Sequence, residues 1–81
     1  MDNKKGIKFL TNINNGQTGI IVAILGGRMV IKRLADLGLI PGTEIKVLRR
    51  TLFPGPVQIE VFGSRLVLGR GIASKISVEL K

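Results

Sequence analysis

Short apolar segments, most of them alternating with polar residues, predict a chain made mainly of strands. Residues 20–25 read IIVAIL between glycines, a run too short for most helices and typical of a strand buried on both faces. Period-two alternation follows at residues 43–50, 57–62 and 76–80, and residues 65–69, RLVLG, are predicted to form a further strand. Residues 62–65 have the turn chemistry of a hairpin, with Gly63 followed by Ser64. The pattern therefore predicts about five short strands.

Between the first two predicted strands the apolar spacing becomes helical. The apolar side chains recur at i, i+4 and i+7: Val30, Leu34 and Leu37. This spacing predicts one short helix over about residues 28–37. Gly38 stands where a left-handed cap ends a helix, and Pro41 prevents any continuation. The helix is thus predicted to end at a sharp corner, residues 38–42, that leads into the next strand.

One helix of about ten residues is too little to cover an open sheet, so the strands must bury their apolar faces in another way. Curling the sheet buries the inward side chains and removes exposed edges. We therefore predict a mainly β fold, a small SH3-like barrel of about five strands with one short inserted helix. With 81 residues the chain has room for one domain. We expect a flexible N-terminus at residues 1–6 and a single barrel domain at residues 7–81.

The net charge of +8, from 13 Lys and Arg against 5 Asp and Glu, favours acidic partners. Such partners include nucleic acid, an anionic membrane surface and an acidic protein surface. The basic residues are scattered along the chain, so they could instead serve only to keep the protein soluble. The longest wholly apolar run has six residues, at 20–25, far short of the ~20 that cross a bilayer. The N-terminal residues lack the apolar run of a signal peptide. We predict a cytoplasmic protein without membrane insertion.

The residue types needed for most enzyme chemistry are missing. The chain has no Cys and no His, so it lacks the thiolate and imidazole groups of nucleophilic catalysis and of transition-metal sites. The five carboxylates show neither paired nor metal-ligand spacing. Residues 69–74, GRGIAS, half resemble a dinucleotide fingerprint, but Ser74 replaces the third glycine and no βαβ unit fits there. We predict a non-enzymatic protein without a cofactor or bound metal.

Two kinds of binding module remain. A small basic barrel can bind nucleic acid, but only three Phe and no Tyr or Trp are present to stack on bases. A protein-binding module is favoured by apolar residues at the corner and in the loop after the second strand, each flanked by arginines. The predicted partner-binding residues are Leu39, Ile40, Leu52, Phe53, Arg33, Arg49 and Arg50. We expect the corner to turn Leu39 and Ile40 outward.

The corner also carries a family resemblance. The sequence RLADLGLIPGTEIKV, residues 33–47, resembles the FeoA family, the small cytosolic component of bacterial ferrous iron uptake. NNGQTGIIVAILGG at residues 14–27 is similar to the family's glycine turn and first strand, and residues 55–80 resemble its closing hairpin and last strand. The resemblance spans Phe9 to Leu80. One departure is that many members carry an acidic residue just before the alanine matching Ala73, where this chain has Gly71 and Ile72.

The resemblance implies an SH3-like barrel that supports or regulates iron uptake without catalysis. The implied partner is the FeoB-type membrane transporter, whose cytosolic part contains a GTPase domain. The same barrel is similar to the C-terminal domain of iron-dependent repressors, although this chain has no helix-turn-helix. No specific nucleic acid is then expected, and self-association through an exposed edge strand stays open.

Overall fold

The computed structural model describes residues 6–50 and 55–81, except the side chain of Arg50. Within them the elements are β1 (Ile7–Phe9), a 3-10 turn (Leu10–Asn12), β2 (Thr18–Ile24), α1 (Arg28–Asp36), β3 (Glu44–Arg50), β4 (Val57–Val61), β5 (Ser64–Leu68), α2 (Arg70–Ala73) and β6 (Ile76–Leu80). The five predicted strands and the predicted helix are all present. The additional elements are β1 and α2, which at three and four residues are too short to show a period. Of the N-terminus predicted to be flexible, residues 1–5 lie outside the described residues.

The strands form one antiparallel sheet in the order β1-β6-β2-β3-β4-β5. The last strand of the chain therefore lies between the first two. The register shifts between Ile21 and Ala23 where β2 meets β6, and between Val47 and Arg49 where β3 meets β4. Such irregularities bend a strand and increase its twist. These two irregularities help the sheet to curl around its apolar face.

The core lies inside this curl, and its described residues are all aliphatic. Its buried residues are Leu10, Ile13, Ile21, Leu34, Leu39, Ile45, Val47, Val57, Ile59, Val61, Leu68, Ala73, Ile76 and Val78. The predicted inward residues are confirmed, since Ile45 and Val47 of β3 and every second residue of β4 are buried. Each Leu, Ile or Val side chain buried in this way contributes roughly 1.5–3 kcal/mol. The prediction that residues 20–25 are buried on both faces is wrong in part, because Ala23 and Leu25 are exposed.

Strand β2 can approach β6 closely because Gly19 has no side chain. A Cβ atom at this position would overlap Cγ1 of Val78 and would lie 2.8 Å from the carbonyl oxygen of Glu79. Real Cβ atoms do not come so close to backbone atoms. Gly19 is therefore fixed by packing between strands rather than by its backbone conformation.

Candidate functional site

The predicted partner-binding residues fall into three groups. Arg33 on α1, Arg49 on β3 and Ile40 after α1 are exposed, as a partner contact requires. Leu39 is fully buried, so the prediction that the corner turns it outward is wrong. The remaining predicted contacts lie outside the described residues: Leu52, Phe53 and the side chain of Arg50.

Leu39 is buried because of the way helix α1 ends. Gly38 has φ +88°, its N–H donates to the carbonyl of Ala35 at 2.9 Å, and the N–H of Leu39 donates to the carbonyl of Leu34 at 2.9 Å. These two bonds form a Schellman motif, which brings the second residue after the helix against the last turn. Leu39 and Leu34 both belong to the core. The corner therefore directs Leu39 inward and leaves only Ile40 outside.

The second half of the corner is a turn that is tied to strand β2. Thr43 N–H donates to the carbonyl of Ile40 at 3.1 Å, and Gly42 has φ +98° after Pro41, as expected for a type II turn. Gly42 N–H donates to the carbonyl of Ile21 at 2.7 Å, and Ile21 N–H donates to the carbonyl of Thr43 at 2.9 Å. The buried hydroxyl of Thr43 donates to the carbonyl of Gly38 at 3.0 Å. The corner, residues 38–42, is thus held by hydrogen bonds to the last turn of α1, to Thr43 and to β2.

A second apolar region was not predicted as a site. A groove with a volume of about 340 Å³ runs between α1 and the segment from β5 to α2. We call it the α1–β5 groove, and its apolar lining is Met29, Val30, Leu34, Leu37, Val67, Leu68 and Ile72. Met29 is 72% exposed, Val67 61% and Leu37 48%, whereas Leu34 and Leu68 are buried at its base. Apolar side chains therefore line a surface that nothing in the described part of the chain covers.

The sequence pattern concealed this groove. Leu37 belongs to the helical stripe that predicts core burial, and Val67 lies in an apolar strand. The spacing of these residues shows that they are on an apolar face. It does not show that the elements beside them leave them partly exposed. The available signal was Met29, which falls near the polar face of the predicted helix and is indeed exposed.

The turn between β4 and β5 adds an exposed aromatic residue close to the corner. Phe62 and Gly63 both have positive φ, +51° and +78°, as the two central residues of a type I′ hairpin do. A phenylalanine is unusual there, because a bulky side chain in the left-handed region is strained. The Phe62 ring is 79% exposed and lies so close to Gly38 that a Cβ on that glycine would be 3.0 Å from Cε2. Phe62 therefore combines backbone strain with exposed apolar area beside the end of α1.

The elements that form the α1–β5 groove carry several basic residues. Helix α1 carries Arg28, Lys32 and Arg33 against a single acidic residue, Asp36, and α2 begins at Arg70. Arg33 itself lines the groove. The other acidic residues of the described part lie on strands: Glu44, Glu60 and Glu79. The two helices therefore carry a net positive charge.

The two patches predicted from the sequence do not meet along β3. From Glu44, next to the corner, to Arg50, before the loop, the strand rises about 3.3 Å per residue, which gives roughly 20 Å. The strand register instead pairs the backbone of Arg50 with Val57, and Val57 with Leu68. The loop that follows β3 therefore begins at the end of the sheet that carries Leu68, at the base of the groove.

Residues 6–50 and 55–81 show no metal centre. No group of three or more His, Cys, Asp or Glu there could hold a metal ion. Among those same residues, no helix has the length and hydropathy that crossing a membrane requires. The candidate site is therefore a surface, made by the α1–β5 groove and the exposed residues near the corner.

Comparison with known proteins agrees with this architecture. The family model for the FeoA domain matches residues 9–80. A protein from Methanocaldococcus jannaschii named Fe(2+) transport protein A is 39% identical over 64 residues, covering 79% of this chain and 76% of the relative.

Two solved structures show the same fold. A crystal structure of an iron uptake regulatory protein, FeoA, superposes with a TM-score of 0.88 at 36% identity, over 94% of this chain and 100% of the other. A manganese-dependent transcriptional repressor superposes at 0.86 with 21% identity, over 98% of this chain and 44% of the repressor. The second likeness concerns the fold alone. The predicted SH3-like barrel is confirmed by the first.

Proposed function

The chain belongs to the FeoA family of ferrous iron transport accessory proteins, and from this premise we propose that it docks on the cytosolic, GTPase-containing part of a FeoB-type transporter. It acts there, in the cytoplasm, as a regulatory subunit without enzyme activity of its own. The observation that supports the proposal most strongly is the family match over residues 9–80, because it covers nearly the whole domain.

The chemistry of the surface suits docking better than catalysis. Exposed aliphatic side chains lie beside Arg33 in the α1–β5 groove, and the described residues include no group of acidic side chains that could hold a metal ion. Apolar anchors with a charged rim are the usual composition of a protein interface. Arg33, Arg49 and Ile40 are available for such contacts. Leu52, Phe53 and Arg50 stay predicted contacts, and Leu39 is removed from the set by its burial.

Binding to the purified cytosolic part of the transporter tests this function. We expect saturable binding of the wild-type protein at low salt. Arg33→Glu should slow association and reduce its salt dependence, because charges at an interface rim steer encounter. Lys8→Glu on β1 is the matched charge reversal, and its effect should be smaller. Absence of wild-type binding at low salt would refute docking through this part of the transporter.

Nucleic-acid binding is the second candidate, and the net charge of +8 supports it. Titration with mixed oligonucleotides at increasing salt tests it. Saturable binding that falls steeply with salt would favour this function. Weak, non-saturating binding at low salt would remove it.

A further inference from the structure

We infer that the α1–β5 groove binds an amphipathic helix whose apolar face carries acidic residues along its edges. The helix is supplied by a protein partner, and where that partner is the transporter, the inference rests on the proposed function. The groove needs such an occupant because its outer lining is solvated: Met29 and Val67 are largely exposed while Leu34 and Leu68 lie at the base. Covering it removes apolar area from water, which favours association.

The length of the groove fits a helix of two to three turns. Met29 and Leu37 both line it and are eight residues apart on or next to α1, which corresponds to about 12 Å along a helix axis. A partner helix lying beside α1 presents side chains at i, i+4 and i+7 over about 10.5 Å. Three apolar anchors of the partner therefore match the length of the apolar lining.

The charge around the groove selects an acidic partner. Helix α1 has three basic residues and one acidic residue, and of these four Arg33 alone lines the groove. Two of the acidic residues on strands face basic partners: Glu44 accepts from Lys81 at 3.1 Å, and Glu60 lies opposite Lys46 in the sheet. A second copy of this chain would bring one basic helix against another, which opposes association. An acidic helix avoids that repulsion.

The lining also disfavours a nucleic acid as the occupant of this groove. Among the described residues, its apolar lining is Leu, Ile, Val and Met, with no aromatic ring on which a base could stack. Stacking on aromatic side chains supplies much of the affinity of single-stranded nucleic-acid sites. A protein helix with aliphatic anchors suits the lining better.

Two synthetic peptides serve as probes of this inference. Each has about 18 residues, long enough to form a helix on binding, with Leu at i, i+4 and i+7. One carries Glu beside the Leu stripe and its twin carries Lys at the same positions. We expect the Glu peptide to bind the full 81-residue protein at least roughly tenfold more tightly than the Lys twin, with gain of helicity by circular dichroism. Its affinity should fall as salt rises.

Exposed residues allow substitutions that leave the fold intact. Val67→Glu places a charge in the groove, and Ile7→Glu places the same charge on β1, outside the groove lining. The two positions are matched, with 61% and 62% of the side chain exposed. We expect Val67→Glu to weaken binding of the Glu peptide by roughly tenfold or more and Ile7→Glu to leave it unchanged. As a control, a cooperative urea unfolding transition in both variants would show that they fold.

Four results would overturn the inference. One is equal affinity for the two peptides, and another is equal effects of Val67→Glu and Ile7→Glu. A third is displacement of the bound Glu peptide by an oligonucleotide, which would assign the groove to nucleic acid. The fourth is a wild-type dimer that Val67→Glu converts to a monomer in sedimentation, which would make a second copy the occupant.

Binding to the transporter's cytosolic part separates this inference from the proposed function. Wild-type binding that Val67→Glu abolishes supports both. Wild-type binding that Val67→Glu leaves unchanged keeps the docking function and overturns the groove as its site. If the protein binds the Glu peptide but not the transporter, the groove still binds an acidic amphipathic helix, and the proposed partner is overturned.

Discussion

The corner and the α1–β5 groove are both apolar, but they differ in backbone hydrogen bonding and in the burial of their side chains. At the corner, Leu39 is buried and five hydrogen bonds involving Gly38, Gly42 or Thr43 hold the chain to α1, to β2 and to itself. In the groove, Met29 and Val67 are solvated. The comparison shows that an apolar residue in a turn can anchor the fold, while one on a regular element can remain exposed. Substitutions should therefore affect stability at the corner and binding at the groove.

The largest effect should come from Leu39→Ala. Removing a fully buried leucine side chain leaves a cavity and lowers the free energy of unfolding by about 3 kcal/mol. Urea denaturation measures the loss. Ile40→Ala, one residue further and half exposed, should cost much less. Similar losses for the two variants would mean that the corner does not direct Leu39 into the core.

Gly38→Ala should have the next largest effect, about 2 kcal/mol. An alanine in the left-handed region is strained by roughly 1–2 kcal/mol, and its Cβ would press on the Phe62 ring. Thermal or urea unfolding measures it. Gly71→Ala is the control, because nothing lies near that position and alanine favours the helix, so stability should be unchanged or slightly higher.

Thr43→Val tests one hydrogen bond of the corner and should lower the free energy of unfolding by less than the two preceding substitutions. The substitution keeps the shape but removes the hydroxyl that donates to the carbonyl of Gly38 at 3.0 Å. We expect a loss of about 1 kcal/mol in the free energy of unfolding. Thr43→Ser keeps the donor and should lose less. A larger loss for Ser than for Val would show that the methyl group, not the hydroxyl, matters at this position.

Phe62→Asn should have the smallest effect on stability and the opposite sign. Asparagine tolerates the left-handed conformation of the turn, and the ring that is removed is 79% exposed. We expect stability to rise by about 0.5 kcal/mol in urea unfolding. Phe62→Ala keeps the strain and should bring no gain. Destabilisation by Phe62→Asn would mean that the ring stabilises the fold through its contact with Gly38.

Most of the fold was predictable because strand periodicity and glycine positions are local signals. The helix predicted at residues 28–37 is observed at Arg28–Asp36, and Gly38 ends it with positive φ as predicted. The inward residues of β4 follow their alternation. Local pattern could not reveal β1, whose three residues obtain their strand conformation from pairing with β6, far away in the chain.

The site was less predictable because exposure depends on neighbours that are distant in sequence. Leu39 is apolar in a turn and looked like a contact, but the Schellman bonds place it against Leu34. Leu37 has helical core spacing, but only β5 and α2 lie beside it and they leave half of it exposed. Both errors have the same origin. Periodicity identifies the apolar face of an element, not whether another element covers it.

The position of β6 between β1 and β2 has a consequence for how the protein is made. Both N-terminal strands pair with a strand at residues 76–80, so neither finds this partner until the end of the domain has been synthesised. Up to that point their apolar side chains and unpaired backbone groups are open to other strands, including those of neighbouring nascent chains. Completion of the barrel therefore takes place after translation of the domain, and pairing between strands so far apart in sequence favours slow folding.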